Sequence, residues 1–262
     1  MLPQGYLDGF TSPSEEGQLW AFDRSQSRWF PTGTPAVAAI KGFYEYSPGS
    51  NPDQTADETF RELESKFPNV RKELIAENFS GWTKHRDFLL RFAQMIRARS
   101  ELFRQEDIAH TRDTRILKVV EAVDRKLTYE PYRPKTQGEY ATLLRNKAIT
   151  QMRIEVKKGP AWFLDLNWCL RLAQSHTDPV ITTDNPLVLE CNAPTVHEGI
   201  HDPSSCIFFP ICWRACLVGS RAKFDIETDI FQPPNLEKLR RMYFQSATRF
   251  VYSPSRLAHD AN

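Results

Sequence analysis

Thr55-Ala-Asp-Glu-Thr-Phe-Arg-Glu-Leu-Glu-Ser-Lys-Phe-Pro-Asn-Val-Arg-Lys-Glu-Leu74 is where the pattern of the chain changes. Phe60, Leu63, Phe67, Val70 and Leu74 recur at spacings of three and four, so a helix would carry them on one face. Thr55 and Glu58 have the spacing of a capping box, with Ala56 and Asp57 filling the first turn. Pro68 interrupts the face, which predicts a kink or two helices meeting there. Everything before this stretch and everything after Lys158 reads differently, and that contrast sets the fold class.

Outward from it the helical period continues. Lys84 to Gln105 would bury Phe88, Leu89, Phe92, Met95, Ile96 and Phe103. Asp107 to Leu127 uses Ile116, Leu117, Val120 and Val123, and Gly138 to Lys158 is lined by Tyr140, Leu144, Ile149 and Met152. Toward the N-terminus the first fifty residues read as strands and turns. Gln18-Leu-Trp-Ala-Phe-Asp23 and Arg28-Trp-Phe-Pro31 flank a short polar stretch and predict a hairpin. Ala36 to Ile40 is a short apolar piece, and Ser47-Pro-Gly-Ser-Asn-Pro-Asp53 is a loop. Past Gly159-Pro160, strands are expected at Leu166–Leu172, Val180–Thr183, Leu187–Glu190, Cys206–Cys212 and Ala215–Gly219. A last helix from Asn235 presents Leu236, Leu239, Tyr243 and Ala247, and runs into Arg249–Ser253. Strands, then helices, then strands, without alternating βα units, predict one α+β domain over 1–262. Its parts are a strand-rich 1–50, a four-helix 55–158 and a strand-rich 160–253 containing the terminal helix, and the first and last strands are candidates for a shared sheet.

Composition narrows the function classes. The 262 residues carry 34 Lys+Arg against 33 Asp+Glu, a formal net charge of +1, which does not favour nucleic acid or an anionic membrane as partner. No apolar run reaches the ~20 residues of a membrane-spanning helix. The N-terminal stretch has neither the basic nor the apolar region of a secretory signal. Five cysteines without a CxxC pair read as reduced, buried thiols of a cytosolic protein. With 17 Phe, 8 Tyr and 6 Trp the chain can build its core from aromatics.

Two motifs imitate chemistry. His197-Glu-Gly-Ile-His201 matches the zinc-hydrolase pentapeptide, which works on a helix where both histidines share a face. Here it lies between Pro194 and Pro203 with Gly199 inside, so a polar loop is expected. Glu155-Val-Lys157 would place metal ligand and lysine on one side of a strand, as in Mg²⁺-dependent nucleases. The surrounding period is helical, and on a helix the two side chains diverge. There is no G-x-S-x-G turn and no glycine-rich phosphate loop, and the chain has only 11 glycines. Arg86, Arg91, Arg97, Arg99 and Arg104 spread around their helix. Arg97 and Arg99 straddle its apolar face, which suits one of them to a partly buried ion pair or an anion contact.

A set of blocks in order along the chain resembles the domain-of-unknown-function family 4238. They are Pro3-Gln-Gly-Tyr-Leu-Asp-Gly-Phe10, Leu19-Trp-Ala-Phe-Asp23, Val37-Ala-Ala with Phe43-Tyr44, and Phe92-Ala-Gln-Met-Ile-Arg-Ala-Arg99. Val180-Ile-Thr-Thr-Asp-Asn-Pro-Leu187, Phe209 to Leu217, and Asn235 with Phe250-Val-Tyr-Ser253 complete it. In that family a histidine usually stands three residues before the first proline; here that position falls just before Met1. Either the histidine is dispensable or the native start lies upstream. The resemblance implies a fold and a short-list of residues, not a reaction.

That short-list is Asp184, Arg97 and Arg99 as candidate catalytic groups, and Thr183, Asn185, Asn235 and Tyr6 as candidate binding groups. Asp184 could serve as general base or hard-metal ligand, Asn185 as hydrogen-bonding partner and Thr183 as donor. Asp-Asn-Pro is equally an ordinary strand-ending turn, because Asp and Asn bond their own backbone and the residue before proline is extended. The expectation is therefore a binding or interaction protein of the bacterial cytosol, without catalysis or cofactor, whose partner is a small molecule or a protein. The alternative is a metal-dependent hydrolase, nuclease- or phosphodiesterase-like, using Mg²⁺ or Mn²⁺ at Asp184 beside the arginines.

Overall fold

The polar stretch Arg24–Ser27 turns the chain between β1 (Gln18–Asp23) and β2 (Arg28–Gly33), which pair antiparallel with Asp23 opposite Arg28. The computed structural model describes residues 2–13, 17–38, 55–103, 105, 137–191 and 202–257. Within them the chain is α+β, with two sheets. Its helices are α1 (Gln4–Leu7), α2 (Thr34–Ala38), α3 (Thr55–Ala76), α4 (Arg86–Ala98), α5 (Gln137–Lys158), α6 (Ala161–Leu164) and α7 (Pro233–Ser246). The remaining strands are β3 (Asn167–Leu172), β4 (Thr182–Thr183), β5 (Val188–Glu190), β6 (Cys206–Cys212), β7 (Ala215–Ser220), β8 (Thr228–Ile230) and β9 (Phe250–Ser253). The expected helix at Asp107–Leu127 and the His197–His201 pentapeptide lie outside the described residues.

The first sheet has the order β2-β1-β9-β4, so the first strands and the last do share a sheet, with Ala21 opposite Tyr252. The second has the order β5-β6-β7-β3-β8 and is antiparallel except where β8 runs parallel to β3. Its central strands are buried on both faces, which accounts for the unbroken apolar run of β6. Ile207, Phe209 and Ile211 face the core shared with α1, α3 and α4. Phe208, Cys216 and Val218 face Leu236, Leu239 and Tyr243 of α7. Gly219 allows this packing, because a Cβ there would meet the Trp168 ring at 2.7 Å.

Four expectations need correction. Residues 4–10 are helical, not extended: α1 runs into a 3₁₀ turn at Asp8–Phe10. The Pro3 carbonyl accepts from the Tyr6 and Leu7 N–H groups, and Tyr6, Leu7 and Phe10 are fully buried. The apolar piece after the hairpin begins as the helix Thr34–Ala38. Of the two readings of Pro68, a kink or two helices meeting, the second does not hold, because α3 passes through it as one element. Tertiary packing holds it: Phe67 stacks on Phe92 of α4 with centroids 3.9 Å apart, and the Pro68 ring lies against Gly5, where a Cβ would be only 2.9 Å away. The strand expected at Val180–Thr183 is regular only at Thr182–Thr183, and β8 and α6 are additional.

Glu155 sits on helix α5, as the period required. It accepts from Gln151 at 3.0 Å and from Gln94 of α4 at 3.3 Å, so it ties two helices together.

Candidate functional site

The turn after β4 gathers the polar groups that the sequence singled out. Asp184 and Asn185 follow a two-residue strand, and Pro186 prevents that strand from continuing. With so short a ladder, side chains take over work that backbone groups do elsewhere in the sheet. Asp184 Oδ1 accepts the Thr248 N–H at 2.8 Å, and Oδ2 accepts those of Arg249 and Phe250 at 2.7 and 3.0 Å. Its own N–H donates to the Phe250 carbonyl at 3.1 Å. Both carboxylate oxygens are thus committed to the segment that enters β9. Burial pushes the Asp184 carboxyl above its ordinary value, while the three N–H groups pull it down.

Asn185 is buried, and each of its amide groups has a partner. Nδ2 donates to the Ser246 carbonyl at 3.0 Å and to Thr248 Oγ1 at 2.8 Å, while Oδ1 accepts the Leu102 N–H at 3.4 Å. The first of these satisfies a carbonyl at the end of α7, where the helix has no partner of its own to offer. Arg24 bonds the next carbonyl, that of Ala247. Thr183 is buried, and its Oγ1 accepts the Asn185 N–H at 3.0 Å, which fixes the turn internally.

The two arginines part company. Arg99 is buried; it pairs with Glu64 of α3 and lies over the Phe60 ring. Arg97 lies over the Phe103 ring, 5.0 Å from its centroid, and lines a cavity of about 190 Å³. The same cavity is lined by Asn185, Pro186, Leu187, Val188 and Leu189 on one side, by Ser100, Leu102 and Phe103 on the other, and by Ser246. Its walls are therefore largely apolar, with Arg97, Ser100, Asn185 and Ser246 as the polar residues among them.

Tyr6 stands apart from the turn but touches the same strand. Its hydroxyl donates to the Pro210 carbonyl and accepts from Thr182 Oγ1, both at 2.9 Å, so one phenol joins the two sheets. Its ring packs against Phe10, Phe67, Phe92 and Phe209, and burial pushes the phenol far above its ordinary pKa. Asn235 is exposed in the first turn of α7. Ser246, the helix residue that meets Asn185, is at the other end, about 16 Å along the axis at 1.5 Å per residue.

Of the residues named from sequence, the structure brings Arg97 and Asn185 to one cavity and fixes Asp184 and Thr183 behind it. Ser100, Ser246, Leu187 and Leu189 were not named. The two leucines follow the Asp-Asn-Pro motif at the alternation of a strand, which was a usable signal; Ser246 carried none. Among the described residues no group of three or more His, Cys, Asp or Glu side chains is gathered as for a metal ion. The five cysteines are free thiols, three of them buried and Cys191 and Cys206 half-buried. Burial pushes the Cys169 thiol up to about 11, which leaves it protonated at neutral pH and a poor nucleophile. No helix among the described residues is long and apolar enough to cross a membrane.

Against known proteins, the sequence has no match among curated chains or solved structures. Residues 1–256 match the model of a family described as "Protein of unknown function (DUF4238)". The chain belongs to that family.

Proposed function

We propose that this protein binds a small molecule in the cavity beside the Asp184–Pro186 turn and carries out no catalytic step of its own. The observation that carries the reading is the engagement of Asp184. Both oxygens of the one acidic group in the motif accept backbone N–H groups, three in all, so using it as a base or metal ligand would mean dismantling the entry to β9. Asn185, next in the chain, lines the cavity, as does Arg97. The motif then has a consistent purpose: it builds one rigid wall of a pocket. A cytosolic location and a single domain belong to the same proposal. The free thiols support the first, and the Tyr6 hydroxyl, bonded to both sheets, supports the second.

The test is turnover and binding side by side. Wild type and Asp184→Ala are assayed against nucleotides, nucleic acids and phosphodiesters with Mg²⁺ or Mn²⁺. The expected result is no turnover by either protein. Metal-dependent hydrolysis by the wild type that disappears in Asp184→Ala, in a variant that circular dichroism shows to be folded, would replace this reading with the hydrolase one.

A further inference from the structure

The five-stranded sheet ends in an open edge at β8. We infer that β8 is a docking strand, to which an extended peptide with alternating apolar and basic side chains adds as a sixth strand. The cavity plays no part in this: β5, which follows the Asp184–Pro186 turn, is at the opposite edge of the sheet.

Backbone direction comes first. The Leu170 N–H donates to the Glu227 carbonyl and the Phe231 N–H to the Leu172 carbonyl, both at 2.9 Å, so the odd-numbered residues here turn their backbone groups toward β3. Those of Thr228 and Ile230 point outward. Asp229 Oδ1 covers the Ile230 N–H at 2.7 Å. The Thr228 N–H and carbonyl and the Ile230 carbonyl have no partner among the described residues, and such a row of backbone groups is what an added strand pairs with.

Side chains sort by face. Thr228 and Ile230 stand opposite Leu170 and Leu172, and Asp229 opposite Arg171. Ile226 and Ile230 are 55% and 47% exposed, large apolar groups left at the rim. Between and before them are acids. Asp225 and Glu227 are exposed, and no cation among the described residues pairs with either. Asp229 has Arg171 Nε at 3.8 Å. Trp82, whose indole N–H donates to the Glu227 carbonyl, is followed two residues on by Lys84, which pairs with Glu77.

Charge decides the occupant. A second copy of β8, paired antiparallel about a two-fold axis, would set Asp229 against Glu227 or against itself, and like charges directly opposite are destabilising. Arg221 and Lys223 do not relieve this. Ser220 pairs with Asn167 on one side of β3 and Thr228 lies on its other side, so the connection crosses the end of the sheet and carries both cations away from the edge. A strand whose basic side chains meet Glu227 and Asp229, and whose apolar ones lie beside Ile226 and Ile230, satisfies both faces.

The experiment titrates the full chain by calorimetry with end-blocked heptapeptides: alternating lysine and valine, alternating glutamate and valine, and the lysine peptide N-methylated throughout. The lysine peptide is expected to bind, and the other two about ten-fold more weakly or not at all, the size of effect that one or two hydrogen bonds or ion pairs carry. Thr228→Pro removes an outward donor at an edge position where proline is tolerated, and is expected to weaken the lysine peptide by about ten-fold. Glu227→Lys is expected to reduce its advantage over the glutamate peptide. If Thr228→Pro fails to fold, the N-methylated peptide still decides whether backbone pairing is required. Equal binding of the methylated peptide would overturn strand addition, and equal binding of the glutamate peptide would overturn the basic partner. No binding of any peptide at millimolar concentration would overturn the docking strand. A dimer in sedimentation that Thr228→Pro dissociates would overturn it in favour of a second copy.

Discussion

The two sheets are held by different forces. In the five-stranded sheet, β6 and β7 are long, mostly apolar and covered on both faces, by the aromatic core on one side and α7 on the other. In the four-stranded sheet, β4 has two residues, and its attachment depends on Asp184, Asn185 and the Tyr6–Thr182 pair. The first region is expected to be sensitive to lost volume, and the second to lost hydrogen-bonding atoms. A motif rich in polar residues at a strand end therefore signals a place where side chains stand in for a missing ladder, and chemistry is a separate question.

Substitutions separate the two regimes. The largest effect is expected for Phe209→Ala, about 3–5 kcal/mol, since the ring is fully buried against Tyr6 and Phe92; chemical denaturation measures it. Asp184→Ala leaves three backbone N–H groups without acceptors, and a loss of about 2–4 kcal/mol is expected. A loss below 0.5 kcal/mol there, roughly what an ordinary surface substitution costs, would break the comparison. Tyr6→Phe keeps the ring and deletes one hydroxyl, so a loss of about 1–2 kcal/mol is expected, with the aromatic packing unchanged in near-UV circular dichroism. If Tyr6→Phe proves neutral, the bridge between the sheets is apolar.

Asp23 gives the smallest effect and one with a pH signature. Its carboxylate accepts from the Ser25 hydroxyl at 2.6 Å and the Ser25 N–H at 2.9 Å, and pairs with Arg249 at 3.2 Å. The Ser25 hydroxyl first, then its N–H and Arg249, hold the carboxyl below its ordinary value against the opposing effect of burial. A depressed acid stabilises the fold above its unfolded pKa, and this contribution is lost as pH falls through the folded one. Asp23→Asn is therefore expected to cost about 1 kcal/mol at pH 7. The difference from wild type should shrink as the pH is lowered from the ordinary value of 3.8 through the depressed one. A difference independent of pH would place the effect in packing.

Much of this was legible in the chain. The spacing of Phe60, Leu63, Phe67 and Leu74 marked α3, and all four are buried; the polar stretch 24–27 marked the hairpin turn. Two of the short elements were not legible. Helix α1 has four residues and β8 three, too few to display any period, and both depend on distant partners: Tyr6 on Thr182 and Pro210, Thr228 on Leu170. The passage of α3 through Pro68 was hidden for the same reason, since the glycine that accommodates the ring is Gly5. For the candidate site, the motif marked Asp184 and Asn185 but not what they hold. Thr248, Arg249 and Phe250 present only backbone N–H groups to Asp184, and those leave no trace in side-chain identity.

The place of β9 between β1 and β4 has a consequence for biosynthesis. On the ribosome, the hairpin of residues 18–33 emerges early and must wait, one edge open, until residues 250–253 arrive. Thr182 and Thr183 wait for the same strand, and so does Asp184 for the N–H groups beside it. Pairing across such sequence distances is slow to form and leaves strand edges open to neighbouring chains meanwhile. Pro31, opposite Trp20 in the hairpin, removes one donor from the strand that stays at the rim of the finished sheet. A nascent chain stalled before residue 250 would display β1 as a ready template, and chaperone dependence in translation would be set by that interval.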